Sequence, residues 1–319
     1  MRGQSVLVTG AAGLIGRALC KKLVIAGANV TAIDVKHSGG RIDIRDRAKM
    51  KVAMRRVNGV VHLAAVSRVI HGELDPETCW DVNVNGTKTI IDLCLAERDP
   101  PWLLYASSRE VYGQQDTLPV KEDSALRPMN AYARSKVAAE DLLAEARARG
   151  LITSVARFSN VYGDAKDYPD RVVPAFARAA VRGGEIRIDG RNHCFDFTHV
   201  EDVTSGVASM VGELSAGNRS LPTIHLVSGI PTTLGELAAL AVARAADRVA
   251  LVDAPPRSFD VVQFYGDPSQ AAKLLGWRAQ IDLPSGFSRL ASDIEASMAQ
   301  ALPSEIPGPS SEGVVEGAR

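Results

Sequence analysis

The stretch "SVLVTGAAGLIG", residues 5–16, decides the fold of this chain. A run rich in β-branched residues ends in a turn in which glycine recurs at every third position. The residues that follow have the apolar periodicity of a helix, and "NVTAIDV" (29–35) has the composition of a second strand. A strand, a turn, a helix and a second strand in this order predict a parallel β-sheet.

The same alternation of strand and helix continues beyond this unit. The strands are rich in Val, Ile and Leu and lack polar alternation, which is typical of a sheet covered by helices on both faces. The sequence therefore predicts an α/β fold with a doubly wound parallel sheet, the Rossmann arrangement. Further strands and helices, in turn, are expected at 59–65, 76–97, 102–108, 130–149 and 152–160.

The composition of the sequence changes about halfway along the chain, where Pro, Gly and Arg become more frequent. We expect a large sheet domain over 1–165, to which 196–227 returns as a helix. A smaller C-terminal substrate-binding lobe is expected from 166–195 and 228–300. The last stretch, 301–319, is rich in Pro, Ser, Gly and Glu and is predicted to be a mobile tail.

The composition argues against several kinds of partner. The 319 residues include 37 Lys and Arg against 37 Asp and Glu, so the net charge of zero gives no support to nucleic-acid binding. No apolar run approaches the ~20 residues that span a bilayer, and the N-terminus enters a strand at once, which leaves no room for a signal peptide. We therefore expect a cytoplasmic protein with neither a nucleic-acid nor a membrane partner. The cysteines lack the spacing of zinc ligands, so reduced thiols and no metal site are predicted at Cys20, Cys79, Cys94 and Cys194.

The glycine turn suits the diphosphate of a dinucleotide. Without β-carbons at Gly10, Gly13 and Gly16, the backbone can approach a pyrophosphate, and free N–H groups at a helix N-terminus attract its charge. Alone, this spacing is weak evidence, because glycine turns between strands and helices are common. Asp34 at the end of the second strand strengthens it, since a carboxylate there accepts the ribose hydroxyls of NAD and repels a 2′-phosphate. The nearby Lys36 weakens this preference for NAD. The alternative for Asp34 is a structural role as a turn-forming residue at the end of the strand.

The stretch "YARSK" places Tyr132 and Lys136 four residues apart on one face of a predicted helix. This spacing often occurs by chance, but here Asn130 gives the helix a defined start, and the helix follows a strand that ends in "ASS". Lys136 and the positive ring of NAD both favour the phenolate, so Tyr132 can take a proton from a substrate hydroxyl. Ser108 would orient that hydroxyl, and Ser107 is the open alternative.

Together these motifs resemble the extended short-chain dehydrogenase/reductases, and among them the family of NAD-dependent nucleotide-sugar epimerases and dehydratases. The matching stretches run through nearly the whole chain. They are "VTGAAGLIG", "DIRD", "VVHLAA", "NVNGT", "SSREVYG", "YARSK", "RFSNVYG", "DFTHVEDV" and "KLLGW". The resemblance implies NAD as the cofactor, a nucleotide sugar as the substrate, and a homodimer joined through the helices at 76–97 and 130–149. Ala-rich faces such as "VAAEDLLAEA" would pack equally well within a monomer, which is the alternative.

The resemblance also implies roles for the matched positions. NAD contacts are implied at Gly10, Gly13, Leu14, Ile15, Gly16, Asp34, Asp43, Ile44, Leu63, Ala64, Ala65, Tyr132, Lys136 and Phe158. Nucleotide-sugar contacts are implied at Ser67, Ser108, Arg109, Asn160, Val173, Ile188, Arg257 and Asp260. In this second set, Val173 and the strand around Ile188 would cradle the nucleotide base. For Asn83 and Trp277 we prefer structural roles, a hydrogen bond at a helix start and packing in the smaller lobe.

The chain departs from the family pattern at two places. Only eight residues separate Asp34 from Asp43, so the helix that usually follows the second strand is expected to be mostly missing, which exposes the adenosine. Phe195, in "CFDF", stands where relatives commonly carry an arginine that contacts phosphate. Either Arg191 or Arg257 is expected to supply that charge.

The neighbours Arg109 and Glu110, within "SSREVYG", bear on the reaction. The 4,6-dehydratases of the family carry Asp and Glu at these two positions, whereas many C4 epimerases carry small neutral residues. Once C4 is a ketone, Glu110 can remove the C5 hydrogen and a leaving group on C6 can depart. Arg109 is a poor proton donor because it stays charged, but it can stabilise developing negative charge or pair with Glu110. A salt bridge without chemistry is the alternative.

We therefore favour a dehydratase that oxidises a UDP- or dTDP-sugar at C4, loses water across C5 and C6 and uses Ser108, Glu110, Tyr132 and Lys136 as catalytic residues. The Arg–Glu pair resembles the hexosamine 5,6-dehydratases of tunicamycin-type antibiotic pathways. A C4 epimerase, which needs no Glu110, is the first alternative, and a decarboxylase would need a cationic pocket for a sugar carboxylate. A non-catalytic NAD-binding sensor is a further alternative, against which the intact Ser108, Tyr132 and Lys136 argue.

Overall fold

The computed structural model describes residues 1–36, 41–246, 248–255 and 261–301. The strands are β1 (Ser5–Thr9), β2 (Asn29–Ile33), β3 (Gly59–His62), β4 (Trp102–Ser108), β5 (Thr153–Phe158), β6 (Asn160–Tyr162), β7 (Gly184–Asp189), β8 (Cys194–His199), β9 (Ile224–Leu226), β10 (Pro231–Thr233), β11 (Val249–Ala254) and β12 (Gln263–Phe264). The helices are α1 (Leu14–Ile25), α2 (Arg47–Ala53), α3 (Val69–Leu74), α4 (Pro76–Trp80), α5 (Gly86–Leu95), α6 (Ala131–Ala148), α7 (Val172–Arg182), α8 (Val200–Ser215), α9 (Leu234–Ala245), α10 (Ser269–Leu275) and α11 (Leu283–Ala301).

The largest sheet has the strand order β2-β1-β3-β4-β5-β9, and each neighbouring pair in it is parallel. The chain moves from β1 to β2 on one side and then to β3 on the other, so the winding direction reverses between β1 and β3. In doubly wound sheets, ligands bind beyond the carboxyl ends of the strands at such a reversal. The predicted α/β fold with a doubly wound parallel sheet is confirmed.

Helices cover both faces of this sheet. In β1, Val6 and Val8 point to the face packed by α1 and α8, while Leu7 points to the face packed by α2, α5 and α6. All three side chains are fully buried. Burial on both faces explains why the strands lack polar alternation in the sequence, and each such side chain contributes roughly 1.5–3 kcal/mol relative to an exposed one.

A third core lies among the smaller sheets and helices α7, α9 and α11. Val111 and Tyr112, just after the end of β4, belong to this core and are fully buried. The segment that leaves the large sheet at Ser108 therefore enters the third core almost at once. Arg109 and Glu110 lie at this junction, which explains how charged side chains come to follow a buried strand. The domain boundaries themselves stay a prediction.

Two structural roles expected from the sequence are wrong in detail. Trp277 packs in the core of the large sheet rather than in the smaller lobe, and its Nε1 donates to the carbonyl of Asp202 at 3.0 Å. Asn83 lies in a π-helical turn between α4 and α5, within the predicted helix at 76–97 rather than at its start. Its Nδ2 donates to Oγ of Ser135 at 2.9 Å, so it ties this helix to α6.

Within the described ranges, no helix is both long and apolar enough to cross a bilayer. The four cysteines are free thiols, as predicted.

Candidate active site

A cavity of about 500 Å³ lies at the carboxyl edge of the large sheet, between that edge and the smaller sheets. It receives side chains from the glycine turn, the end of β4, α6 and α7. The sequence-predicted residues that line it are Gly10, Gly13, Leu14, Ile15, Gly16, Leu63, Ala65, Ser67, Ser108, Arg109, Glu110, Tyr132, Lys136, Phe158, Asn160 and Val173.

Other predicted positions do not line this cavity. They are Asp34, Asp43, Ile44, Ala64 and Ile188, while Arg257 and Asp260 lie outside the described residues. Ile188 is fully buried in the third core, because the alternation along β7 turns Ile186 and Ile188 inward. Arg187 and Asp189 are the residues of β7 that line the cavity. The side chains of β7 at the cavity are therefore those of its two neighbours, and not that of Ile188 as expected.

The glycine turn has the geometry that a dinucleotide requires. Gly10 has φ +69°, and a Cβ there would lie 2.7 Å from the backbone N of Ala64. A Cβ on Gly16 would lie 2.2 Å from the carbonyl oxygen of Gly10. No side chain caps the N-terminus of α1 at Gly13, so its backbone N–H groups remain available for a phosphate.

Asp34 connects the end of β2 to this turn. Its Oδ2 accepts a hydrogen bond from the backbone N of Ala12 at 3.0 Å, and its Oδ1 accepts one from the backbone N of Lys36 at 2.8 Å. A carboxylate has about four acceptor sites, so capacity remains for two ribose hydroxyls. The donor set of the turn and Asp34 therefore fits NAD.

Residues 43–45, which follow Asp34 along the chain, make contacts of their own outside the cavity lining. Asp43 accepts hydrogen bonds from the guanidinium of Arg45, which lies 2.6 Å away and holds the pKa of that carboxyl below its usual value. Ile44 is buried on the sheet face that α2 covers. Direct NAD contacts by Asp43, Ile44 and Ala64 stay predictions.

Helix α6 places Tyr132 and Lys136 toward the cavity. The Asn130 side chain caps the helix by accepting from the backbone N of Ala133 at 2.8 Å, in agreement with the predicted start. Lys136 Nζ donates to the carbonyl of Ala106 at 2.9 Å and lies 5.8 Å from the centroid of the Tyr132 ring. The tyrosine and the lysine thus share one face, as their spacing indicates.

Burial dominates the ionisation of this pair in the protein alone. It raises the pKa of Tyr132 to about 12, against a smaller lowering by a hydrogen bond with Ser108. Burial also lowers the pKa of Lys136 to about 8. The expected phenolate is therefore not stabilised by Lys136 alone, and it requires further positive charge in the cavity.

The two serines at the end of β4 point to different partners. Ser107 Oγ donates to Oε1 of Glu140 at 2.5 Å, within the protein interior. Ser108 Oγ accepts from the backbone N of Glu110 at 3.2 Å and lies beside Tyr132. Ser108 is therefore the serine that neighbours the tyrosine.

Glu110 is held from both sides. Its Oε2 accepts from Nδ2 of Asn130 at 3.1 Å, and its Oε1 lies 2.9 Å from Nη2 of Arg109. Only about a tenth of either charged side chain is exposed, at 11% for Arg109 and 10% for Glu110. The role of Asn130 toward Glu110 was missed, because a helix-capping asparagine carries no sign in the sequence of a second partner.

Among the described residues, Arg109 is the cation that contacts Phe195. Its guanidinium carbon lies 4.6 Å from the centroid of the Phe195 ring. Arg191, expected to supply the missing positive charge, instead pairs with Asp253 at 2.8 Å and does not line the cavity. That expectation is wrong for Arg191. Sequence reasoning also missed three arginines and one histidine that line the cavity, namely Arg68, Arg171, Arg187 and His193.

Residues 164–171, between β6 and α7, form a segment that we call the strap, and its Asp170 and Arg171 line the cavity. The strap is held by contacts from residues that follow β1, β2 and β3. These contacts are Arg17–Asp164 at 2.9 Å, Lys36–Tyr168 at 3.1 Å and Arg68–Asp170 at 2.6 Å. Lys36 and the guanidinium of Arg68 each lie 5.2 Å from the centroid of the Tyr168 ring, a distance at which a cation is attracted to an aromatic face.

Comparison with known proteins agrees with this geometry. The model of the NAD dependent epimerase/dehydratase family matches residues 6–221. A UDP-glucose 4-epimerase from Rhizobium meliloti is 27% identical over 89% of this chain and 94% of its own length. A dTDP-glucose 4,6-dehydratase from Actinoplanes sp. is 29% identical over 89% of this chain and 95% of its own length.

Among solved structures, complexes of MoeE5 are similar to this chain. MoeE5 with UDP-glucuronic acid and NAD has a TM-score of 0.83, and MoeE5 with UDP-glucose and NAD has a TM-score of 0.84. Both are 29% identical and cover 92% of this chain and 99% of their own.

A doubly wound sheet with a glycine turn and an acidic residue at the end of β2 defines a dinucleotide-binding protein. The chain belongs to the NAD-dependent epimerase/dehydratase family, and its cofactor is NAD. The predicted family and cofactor are confirmed. Within the described part of the chain, no three His, Cys, Asp or Glu side chains come together as a metal site.

Proposed function

We propose that the protein is an NAD-dependent dehydratase of nucleotide sugars, which oxidises a UDP- or dTDP-linked hexose at C4 and then loses water across C5 and C6. The carboxylate of Glu110 carries this proposal, because it is buried, lines the cavity and lies near enough to Tyr132 to raise its pKa. Inversion at C4 alone gives such a carboxylate no chemical task. Removal of the C5 hydrogen requires a base beside the oxidised carbon.

The first step is oxidation at C4. Bound NAD supplies the oxidising power by accepting hydride from C4. Tyr132 Oη takes the proton of the C4 hydroxyl, and Ser108 orients that hydroxyl. The ammonium of Lys136 favours the phenolate of Tyr132 together with the positive charge of the cofactor.

The second step uses the acidity that the C4 ketone gives to the C5 hydrogen. Glu110 removes this hydrogen, and its two oxygens are fixed by Asn130 and Arg109. Water then leaves from C6 with the proton that Glu110 took from C5, and Tyr132 returns its proton to the C4 oxygen as C4 is reduced again. The product of this sequence is an exocyclic enol ether.

Binding roles are proposed for the remaining predicted residues. The glycine turn and Asp34 are proposed to hold the pyrophosphate and ribose of NAD. Ser67, Asn160 and Val173 line the cavity and are proposed to contact the nucleotide sugar. The complexes of MoeE5 with UDP-sugars support a substrate of this class.

Turnover in heavy water tests the reaction. The protein is incubated with UDP-glucose, dTDP-glucose and UDP-N-acetylglucosamine, and the products are analysed by mass spectrometry and NMR. We expect a product lacking one water, or deuterium at C5 of the sugar that has not lost water. Glu110→Gln should keep C4 oxidation, seen as absorbance of the reduced cofactor, and should lose both C5 outcomes. Wild-type protein that inverts C4 without deuterium at C5 contradicts the dehydratase.

A C4 epimerase is the second candidate, and similarity to the UDP-glucose 4-epimerases favours it. In that case Glu110→Gln should turn over at nearly the wild-type rate. A non-catalytic NAD sensor is distinguished by Tyr132→Phe, which abolishes turnover in either enzyme and leaves the ligand response of a sensor intact. A homodimer, a cytoplasmic location and a place in antibiotic biosynthesis stay predictions.

A further inference from the structure

Arg109 is a buried guanidinium with one unpaired end. It lies against two aromatic rings, with its Cζ 4.6 Å from the centroid of Phe195 and 5.9 Å from that of Phe264. Nη2 is paired with Glu110, whereas Nη1 is buried and has no hydrogen-bond partner among the described residues. Stacking fixes the plane of the guanidinium, and a buried donor without a partner is costly, so Nη1 is suited to a ligand oxygen.

The position of this donor relative to the sugar follows from its neighbours, and here the inference rests on the proposed function. In that function, Ser108 orients the C4 hydroxyl, Tyr132 takes its proton, and Glu110 removes the hydrogen on C5. C6 is bonded to C5, and Arg109 pairs with Glu110 from the adjacent position at 2.9 Å. Nη1 is therefore a buried donor that lies beside Glu110, on the side of the substituent on C6.

The charge balance of the cavity decides which substituent fits. Arg109 and Glu110 compensate each other, so a carboxylate on C6 would be attracted by one and repelled by the other while losing its hydration. The other arginines that line the cavity also have carboxylate partners, at Arg68–Asp170, Arg171–Asp167 and Arg187–Asp189. A neutral hydroxyl brings no uncompensated charge. The pair therefore suits a hexose with a free C6 hydroxyl and disfavours a hexuronate.

We propose that Arg109 binds the C6 hydroxyl of the substrate and stabilises the negative charge that develops on this oxygen as it leaves. The C5–H bond breaks and its proton goes to Glu110, the C5–C6 double bond forms, and the C6–O bond breaks with its electron pair on oxygen. Because arginine stays charged, it cannot supply the proton that the leaving oxygen needs. Glu110 returns the proton it took from C5, the oxygen leaves as water, and the carboxylate is restored.

Separate measurement of each step tests this assignment. Arg109→Met keeps an unbranched apolar side chain without the charge, and Arg244→Met, which breaks an exposed pair with Glu295 far from the cavity, is the matched control. With UDP-glucose, dTDP-glucose and UDP-N-acetylglucosamine in heavy water, Arg109→Met should still oxidise C4 and exchange the C5 hydrogen. Its loss of water should fall by about 100-fold, as when one donor to a developing oxyanion is removed.

Arg109→Lys, which retains the charge, should recover part of the water loss. Water loss by Arg109→Met within about threefold of wild type overturns the assignment. An equal loss of C4 oxidation, C5 exchange and water loss also overturns it, since that pattern indicates a structural role. A wild-type protein that neither loses water nor exchanges the C5 hydrogen contradicts the proposed function instead.

A binding measurement tests Arg109 even if the protein proves to be an epimerase. Calorimetry compares UDP-glucose with UDP-glucuronic acid on the NAD-loaded protein. Wild type should prefer UDP-glucose, and Glu110→Gln, which leaves Arg109 uncompensated, should shift the ratio by about tenfold toward UDP-glucuronic acid. Arg109→Met should not show this shift when combined with Glu110→Gln. An unchanged ratio in Glu110→Gln overturns the charge-balance argument.

Discussion

Ser107 donates a hydrogen bond of 2.5 Å to Glu140, while the next residue along β4, Ser108, lies beside Tyr132 in the cavity. Glu140 also forms a buried pair with Arg157 at 2.5 Å, with less than a tenth of either side chain exposed. Two successive side chains of a strand point to opposite faces. Ser107 therefore has its partner in an internal network although it also lines the cavity, whereas Ser108 lies beside Tyr132.

Substitution of the two serines by alanine should separate stability from chemistry. Ser108→Ala should slow C4 oxidation by about 10- to 100-fold, because the hydroxyl that orients the substrate is lost. Ser107→Ala should keep oxidation within about threefold and lower the free energy of unfolding by roughly 1–3 kcal/mol, since a buried carboxylate loses a donor. Reduced-cofactor absorbance and urea unfolding measure the two effects. The opposite pattern would assign the catalytic role to Ser107.

Binding of NAD should lower the pKa of Tyr132. Burial alone raises this pKa to about 12, and the positive nicotinamide ring adds the charge that favours the phenolate. The tyrosinate absorbance near ~295 nm should titrate at least ~1 pH unit lower in the NAD-loaded protein than in the protein freed of NAD. Tyr132→Phe supplies the control, since it should remove the shifted component. An identical titration of both forms would contradict the proposed role of the cofactor charge.

Two buried histidines should make the fold sensitive to acid. Burial lowers the pKa of His62 and of His225 to about 3, well below the value of 6.5 expected in the unfolded chain. Between these values the unfolded state binds more protons, so stability is full above pH 6.5 and is lost as the pH falls. The loss should be about 1.4 kcal/mol per pH unit for each histidine.

Urea unfolding at pH 7.5 and 5.5 measures this dependence, and His62→Gln is the informative variant. His62 bridges Thr9 and Thr87 with hydrogen bonds of 2.8 and 3.0 Å, so the variant should be less stable at pH 7.5. It should nevertheless lose less stability on acidification than wild type. A variant with the full wild-type pH dependence would show that other groups cause the acid sensitivity.

Loosening the strap should speed the release of NAD. Tyr168→Ala removes the hydrogen bond from Lys36 and the ring that the Arg68 guanidinium contacts. Exposed contacts of this kind are worth about 0.2–1 kcal/mol each, so together they should change the dissociation rate by roughly tenfold. Stopped-flow displacement of a fluorescent NAD analogue measures it. Arg244→Met, remote from the strap, should release the analogue at the wild-type rate, and equal rates for Tyr168→Ala and wild type would contradict a retaining role.

A methyl group at Gly16 should destroy the dinucleotide site. Its Cβ would lie 2.2 Å from the carbonyl oxygen of Gly10, so the turn must shift. We expect Gly16→Ala to lose NAD binding by at least about 100-fold and to unfold more easily by roughly 1–3 kcal/mol. Gly212→Ala is the matched control, because that glycine also lies in a helix and a Cβ there meets nothing within 4 Å. Calorimetry with NAD measures the difference.

The sequence alone determined the class of fold and the identity of the cofactor. Three patterns lie within single local elements: the glycine spacing, the position of Asp34, and the four-residue interval from Tyr132 to Lys136. The strand, turn or helix that contains each pattern fixes the relative positions of its residues. The same holds for the cap at Asn130, whose hydrogen bond to Ala133 closes within three residues. Such features need no knowledge of distant contacts.

Only the tertiary structure decided which charges meet in the cavity. Arg109 reaches Phe195 and Phe264, and Lys36 reaches Tyr168, across long separations along the chain. The pairing of Arg191 with Asp253 depends on packing between layers, which leaves no periodic mark in the sequence. The inward position of Ile188, in contrast, follows the alternation along β7. Local rules therefore gave the positions of the strand ends, and the packing of one core against another determined which side chains line the cavity.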